Sequence, residues 1–132
     1  MSATRWIRNG SIMALALALS AVATAQQTAV QRGDAKFQHS CAPCHGAGVG
    51  DDGRAMLPGT DALRIKYRDA KPPVPAVLEQ RTDLTAPAIK AFVRNGSFAM
   101  PPFRPTELTD AEIVDIAAYI AAKAKSTPKA KK

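Results

Sequence analysis

The sequence predicts an all-α fold of short helices joined by loops. Two segments, 85–94 and 109–123, carry apolar residues at helical spacing and begin with residues that cap helices. A third segment, 33–40, leads into a Cys-x-x-Cys-His run. The segment 71–75 reads Lys-Pro-Pro-Val-Pro, which fits neither a regular helix nor a central strand, so we expect an extended linker there.

The first 25 residues have the pattern of a secretory signal peptide. Arg5 and Arg8 precede an apolar run over 12–23, and Ala-Thr-Ala at 23–25 is a small-x-small cleavage site. An uncleaved anchor is the alternative, but the run is shorter than the roughly 18 residues of a spanning helix. We expect cleavage after residue 25, export to a bacterial periplasm and no stable membrane insertion afterwards.

The charges separate a neutral body from a basic tail. The chain has 18 Lys and Arg against 11 Asp and Glu, a net charge of +7. Cleavage would remove two basic residues, and the remaining excess lies in five lysines near the C-terminus: Lys123, Lys125, Lys129, Lys131 and Lys132. We expect one domain over 26–125 and a disordered tail over 126–132, with weak steering toward an acidic partner or membrane as the tail's alternative role. A neutral, exported body disfavours nucleic acid binding.

The chemistry of the chain centres on residues 41–45, Cys-Ala-Pro-Cys-His. Residues three and four apart share a face of a helical turn, so Cys41, Cys44 and His45 can point the same way. The two thiols can then add to the two vinyl groups of one porphyrin while the imidazole reaches the iron. Because such a run is typical of covalent haem attachment, we predict one haem c, with Cys41 and Cys44 as thioethers and His45 as an axial ligand.

Thiol redox chemistry and zinc binding are the alternatives for the same residues. Zinc would need a fourth ligand, and the other histidine, His39, stands two residues before Cys41 with no second Cys pair in the chain. We expect His39 on the surface. A thioredoxin-like enzyme would place the motif after a strand, whereas the residues before Cys41 look helical.

The helix over 33–40 has Phe37 as its apolar anchor. Gly33 and Phe37 share a face, which suits close contact with another helix. Residues 46–53 then form a glycine-rich loop, and a short helix is predicted over 60–67, capped by Thr60 or Asp61. Four cations are candidates to pair with haem propionates, with ordinary surface charge as the alternative: Arg64, Lys66, Arg68 and Arg81.

Met100 is the predicted second axial ligand. It follows a helix that starts at the cap Thr85 and ends at Asn95-Gly96, with Ile89, Phe92 and Val93 as its apolar stripe. The prolines after Met100 restrict its backbone, and a thioether is a soft donor that favours ferrous iron. Methionine is usually core filler, and Met56 is the rival ligand.

The last helix is predicted to start at Thr109, which has capping-box spacing to Glu112, and to end near residues 123–125. Its apolar face, the expected partner of Gly33 and Phe37, comprises Ile113, Ile116, Ala117, Tyr119 and Ile120. Three charged residues are expected to face away: Glu112, Asp115 and Lys123.

These features together resemble class I cytochromes c: the Cys41-x-x-Cys44-His45 motif, the Gly33/Phe37 helix, Met100-Pro101, and Tyr119 on the last helix. The resemblance implies a small all-α fold wrapped around one haem, with crossing terminal helices and one haem edge exposed for electron transfer.

Three stretches, 75–81, 92–96 and 99–103, also look like the cytochrome subunit of p-cresol methylhydroxylase and related 4-alkylphenol or vanillyl-alcohol-type flavocytochromes. In those proteins a flavoprotein subunit oxidises the phenolic substrate and passes electrons to the haem one at a time. This likeness, over roughly 75–122, implies a flavoprotein dehydrogenase as electron donor and a downstream redox protein as acceptor.

In compact relatives a proline soon after the motif offers its carbonyl to the proximal histidine, which fixes the tautomer. Here Pro58 and Pro75 are the candidates, and the Pro-to-Leu-Glu pattern favours Pro75, which makes 46–72 an enlarged loop.

The function predicted is electron transfer without bond chemistry, because both axial positions would be filled. A freely diffusing carrier that serves a terminal oxidase is the alternative within that class. Two other classes stay open: a haem enzyme or gas sensor, which would need Met100 absent or labile, and a thiol oxidoreductase, which would need both cysteines free.

Overall fold

A computed structural model describes residues 27–49 and 56–126, and their regular structure is helical apart from one isolated bridge, Ser97 to Met100. The all-α prediction is confirmed. In chain order the elements are α1 (Ala29–Ser40), α2 (Ala42–His45), α3 (Pro58–Lys66), a 3₁₀ turn (Leu78–Gln80), α4 (Ala86–Asn95) and α5 (Asp110–Ser126). The predicted signal peptide and residues 127–132 of the predicted tail lie outside the described residues.

Helix α1 begins four residues earlier than predicted because Thr28 and Gln31 form a capping box. The Thr28 N–H donates to Gln31 Oε1 at 2.9 Å, and the Gln31 N–H donates to Thr28 Oγ1 at 3.3 Å. Two N–H groups that have no partner inside the helix are thereby satisfied.

Helices α1 and α5 cross at Gly33. A Cβ at this position would stand 2.0 Å from the Asp115 carbonyl oxygen, so the two backbones meet directly. Phe37 is fully buried one turn later, with its ring centroid 5.2 Å from that of Tyr119. The predicted contact between the Gly33/Phe37 face and the last helix is confirmed.

The core lies beneath this crossing and draws on α1, α4, α5 and the loop before α5. Its buried members are Phe37, Ile89, Val93, Leu108, Ile113, Ile116, Tyr119 and Ile120. Phe92 was predicted to belong to the apolar stripe of α4, but it is 45% exposed. Ile89 and Val93, four residues apart, form the buried face of α4. Phe92 lies at the edge of that face, toward solvent.

Two of the charged residues expected to face away from the core instead tie α5 to α1. Arg32 binds Asp115 through Nε at 2.7 Å and Nη2 at 3.0 Å. Lys36 Nζ lies 2.7 Å from Glu112 Oε1. Glu112 also accepts the Thr109 N–H at 2.7 Å, which confirms the predicted capping box. The helix crossing is therefore flanked by ion pairs.

Helix α3 begins two residues before the predicted start, with Pro58 in its first turn and Leu57 at the cap position. Proline suits this place because it has no N–H to leave unpaired. Thr60, predicted as a cap, is therefore inside the helix. The predicted limits of α4 are confirmed: Thr85 Oγ1 accepts the Ala88 N–H, and Gly96, at φ +69°, follows the last helical residue.

Candidate haem-binding site

Residues 41–45 comprise Cys41, which joins α1 to α2, and the single helical turn of α2 itself. The Cys41 N–H donates to the Phe37 carbonyl at 2.8 Å, and the Cys41 carbonyl accepts the N–H groups of Cys44 and His45 at 3.1 and 2.9 Å. Pro43 stands in the first turn of α2, where no N–H is needed. The structure thus brings the three predicted haem-binding residues of this motif onto one helical turn.

Cys41 and Cys44 are not joined in a disulfide. Cys44 is exposed, whereas Cys41 packs against the core. Burial, with Cys44 nearby as a lesser cause, raises the pKa of Cys41 to about 11. Because thiol oxidoreductases rely on a cysteine of lowered pKa, this environment disfavours thiol redox chemistry.

A zinc site finds no support either. Within 27–49 and 56–126, no group of three or more His, Cys, Asp or Glu side chains is arranged to hold a metal ion. His39 is exposed, as predicted.

His45 holds the one buried side-chain nitrogen or oxygen without a hydrogen-bond partner in the described part of the chain, its Nδ1. Burial lowers the pKa of His45, which favours the neutral imidazole, the form that binds metals. A buried polar atom without a partner is costly and calls for an explanation. A ring that binds a metal through Nε2 keeps its proton on Nδ1, so Nδ1 would be the donor that still needs an acceptor.

The predicted hydrogen bond from His45 to the Pro75 carbonyl is not formed. Nδ1 has no partner, and Pro75 is exposed. The first turn of α3 lies beside the ring instead: a Cβ on Gly59 would stand 2.7 Å from Cε1 and 2.8 Å from Nδ1 of His45. Gly59 lies beside the histidine because α3 begins at Pro58, two residues earlier than predicted.

Thr60 is 2% exposed and donates its hydroxyl to the Gly46 carbonyl at 2.9 Å. It therefore ties α3 to the residue that follows His45. The sequence pattern alone did not indicate this role for Gly59 or Thr60. The available signal was the Pro-Gly-Thr run at 58–60, because proline favours the first turn of a helix.

Met100 closes a tight hairpin after α4. Ser97 and Met100 exchange two backbone hydrogen bonds of 3.0 and 2.9 Å. Gly96 permits this approach, since a Cβ there would stand 2.8 Å from the Met100 carbonyl oxygen. Phe98, in the turn, has φ +52° and is fully exposed. The Met100 side chain packs against the same core as Cys41, so the loop and the motif border one apolar region.

Arg94 pins the loop between α4 and α5. Its Nη1 donates to the Phe103 carbonyl at 3.1 Å, and its Nη2 donates to the Leu108 carbonyl at 2.7 Å and to Asp110 Oδ1 at 2.8 Å. The Phe103 N–H in turn donates to the Val93 carbonyl at 2.6 Å. The segment that carries Met100 is therefore fixed at its far end by one cation.

The rival ligand Met56 is half-buried just before α3. The candidate propionate partners differ in setting. Arg64 and Arg68 pair at the surface with neighbouring aspartates. Arg81 is buried, binds Asp83 with Nε at 2.7 Å and Nη2 at 2.5 Å, and lies 5.1 Å above the Tyr67 ring.

The family described as cytochrome c oxidase, cbb3-type, subunit III has a model that matches residues 28–120. The match covers more than half of the chain, which therefore belongs to this family of cytochrome c domains and is a class I c-type cytochrome. It is an electron-transfer haem protein of a generally non-catalytic family, and haem c is the cofactor that the family implies. The residues of the 41–45 turn fit this group: two cysteines and a neutral imidazole. The family match gives no evidence for the p-cresol methylhydroxylase likeness.

A search of curated proteins finds no match. Cytochrome c domains are typically exported or associated with membranes. In the part of the chain that the structure describes, no helix has both the length and the apolar run that crossing a membrane requires.

Proposed function

We propose that this chain is a periplasmic, single-haem electron-transfer protein. Cys41 and Cys44 would hold haem c through thioether bonds, and His45 and Met100 would bind its iron. The observation that carries the proposal is the 41–45 turn, where two cysteines and a neutral, partly buried imidazole share one helical turn. When bound, the haem supplies a one-electron couple between ferric and ferrous iron.

Each of these residues has a task that its setting supports. Cys41 packs against the core and Cys44 is exposed, so one thioether would lie on the core side and the other toward solvent. The neutral imidazole of His45 donates a nitrogen lone pair. The thioether of Met100 is a soft donor that favours the ferrous state. If His45 and Met100 both bind the iron, no iron position would be left for a substrate, and the protein would carry electrons without making bonds.

For the electron donor we propose a flavoprotein dehydrogenase that acts on phenolic substrates, and for the acceptor a downstream redox protein. The sequence likeness of 75–81, 92–96 and 99–103 supports this donor. The second candidate is a freely diffusing carrier that serves a terminal oxidase or another acceptor. The family description names a subunit of a terminal oxidase, and this supports an oxidase as the acceptor.

Haem attachment is tested by producing the full chain in a bacterium that exports and matures c-type cytochromes. Acid-acetone extraction should leave the haem absorbance with the protein. The matched control replaces Cys41 and Cys44 with serine, which preserves size and removes both thioethers. If the unaltered protein loses its colour to the solvent, covalent attachment is wrong.

The donor is tested by mild affinity purification of the tagged protein from its own host, with spectra before and after a 4-alkylphenol is added. A co-purifying flavin chain, with haem reduced by the phenol, supports the flavoprotein donor. A red, flavin-free protein that the phenol leaves oxidised overturns it in favour of the free carrier.

A further inference from the structure

We propose that Phe98, at the tip of the hairpin that Met100 closes, is the apolar anchor through which a protein electron-transfer partner docks on this chain. The inference rests on the proposed function, because it takes electron exchange as the task of the protein and Met100 as an iron ligand. It adds the surface that is used and the kind of partner: a redox protein with an uncharged recess, held in a transient complex.

Phe98 is set apart from the other phenylalanines by its exposure. Its relative exposure is 103%, whereas Phe37 is fully buried and Phe92 is 45% exposed. A fully exposed phenyl ring contributes no apolar burial to the folded chain. Aromatic side chains are enriched where proteins bind one another, because they bring a large apolar area with few rotatable bonds.

The backbone at Phe98 is also held where a side chain is unfavourable. Ser97 and Met100 exchange backbone hydrogen bonds of 3.0 and 2.9 Å, so Phe98 and Ala99 are the two residues of the turn. Phe98 has φ +52°, and glycine is the usual residue at a first turn position of positive φ. The fold therefore tolerates a strained and exposed phenylalanine where glycine would fit better. Strain that brings the folded chain no contact is typical of binding sites.

The surface around the ring suits an apolar contact. Residues 95–103 carry no charged side chain, and their exposed apolar members form what we call the Phe98 tip: Phe98, Ala99, Pro101 and Pro102. Covering this tip desolvates no charged group, so the complementary surface is an uncharged recess. The hairpin bonds and the two prolines restrict the backbone, which reduces the flexibility that is lost on binding.

The size of the Phe98 tip indicates a transient complex rather than a stable dimer. A buried aromatic side chain covers about 150–250 Å². Stable complexes cover about 800 Å² on each partner, whereas electron-transfer complexes cover less than about 600 Å². One ring with three small neighbours supplies the centre of the smaller kind of interface only. A partner seated on the tip lies beside Met100, which brings its redox centre toward the proposed iron ligand.

The test compares Phe98→Gly with Phe98→Tyr in the haem-loaded full chain. Two probes are used: membrane vesicles of the host with oxygen, which oxidise the reduced protein, and soluble extract of the host with a 4-alkylphenol, which reduces the ferric protein. Stopped-flow absorbance of the haem gives the rate of each reaction against the concentration of this protein.

Phe98→Gly should raise the half-saturating concentration about tenfold with at least one probe, the scale of a lost aromatic anchor. Phe98→Tyr keeps the ring and should stay close to the unaltered protein. Val114→Ala is the matched control, because it trims a side chain on α5 that is 56% exposed and lies outside the Phe98 tip. It should change neither rate.

Phe98→Gly should also keep Tm, the haem spectrum, the midpoint potential and the rate of oxidation by ferricyanide, because glycine accepts the turn and a small ion needs no anchor. The inference is overturned if Phe98→Gly leaves both half-saturating concentrations unchanged, or if the unaltered protein exchanges electrons with neither probe. A lower Tm with an altered haem spectrum also overturns it, since the ring would then belong to the fold around the haem. Failure of haem attachment is a separate result, seen as an unaltered protein without a haem spectrum.

Discussion

The Asp115 carbonyl oxygen lies 2.0 Å from the point where a Cβ on Gly33 would stand. The two terminal helices therefore touch backbone to backbone, and the residues beside this point are paired across the interface: Arg32 with Asp115, and Lys36 with Glu112. Because α1 runs directly into residues 41–45, this crossing holds the Cys-x-x-Cys-His turn against the core.

Gly33→Ala should destabilise the protein, although alanine favours helix formation. The added methyl group forces α1 and α5 apart, and we expect a loss of about 2–3 kcal/mol, as in other overpacked cores. Denaturant unfolding should show a lower midpoint with an unchanged slope. Ala35→Gly, at an exposed site in α1, is the control and should cost about 1 kcal/mol through helix propensity alone. A Gly33→Ala protein as stable as the original would contradict the backbone contact.

Glu112 makes the stability of the helix pair depend on acid pH. Its hydrogen bond with Lys36, followed by those with the backbone and hydroxyl of Thr109, lowers the pKa of Glu112 to about 2. The unfolded chain has an ordinary value near 4.3, so it binds a proton at higher pH than the folded protein does. The stabilisation is therefore present above about pH 4.5 and is lost as the pH falls toward 2.

Glu112→Gln keeps the acceptor of the capping box but removes the charge that pairs with Lys36, so it should lower stability by about 0.5–1 kcal/mol at pH 7 and by little at pH 2. Tm measured from pH 7 to pH 2 should show the two curves converging at the acid end. Asp69→Asn removes a carboxylate that pairs at the surface with the adjacent Arg68, and its curve should run parallel to that of the original. Parallel curves for Glu112→Gln would refute the assignment.

Arg94 should prove more important than a surface cation. Arg94→Lys retains the charge but cannot reach Phe103, Leu108 and Asp110 together, so buried carbonyls lose their donors. We expect a loss of about 2 kcal/mol and a weaker hold on the Met100 loop. Thermal unfolding measures the first, and the rate of carbon monoxide binding to the reduced protein measures the second. Arg104→Lys, at an exposed pair with Glu107, should change neither.

The sequence was sufficient to predict the ends of those helices that have caps and apolar stripes within the helix itself. Thr85, Thr109 and Gly96 mark ends that the structure confirms. The start of α1 was also readable, since Thr28 and Gln31 have capping-box spacing, but the prediction began at Gly33. Local signals of this kind act within one or two turns, and the chain follows them.

The contacts that the sequence did not predict are those between helices distant in the chain. The roles of Glu112 and Asp115 follow from where α1 crosses, and a helical pattern does not contain that information. The same holds for His45: choosing Pro75 relied on pattern, whereas the structure has Gly59, in the first turn of α3, against the ring. Docking of a segment 14 residues after the histidine is a tertiary event without a local signature.

Met100→Ala tests the ligand prediction most directly. Removal of the thioether should abolish the methionine-to-iron charge-transfer band, lower the potential and open the reduced protein to carbon monoxide. Met56→Ala is the matched control because Met56 is the rival methionine, half-buried before α3, and it should leave all three properties unchanged. If the two variants exchange these results, Met56 is the ligand. If neither changes the spectrum, the second axial position is not held by methionine, and the prediction of a closed electron-transfer site gives way to an open haem.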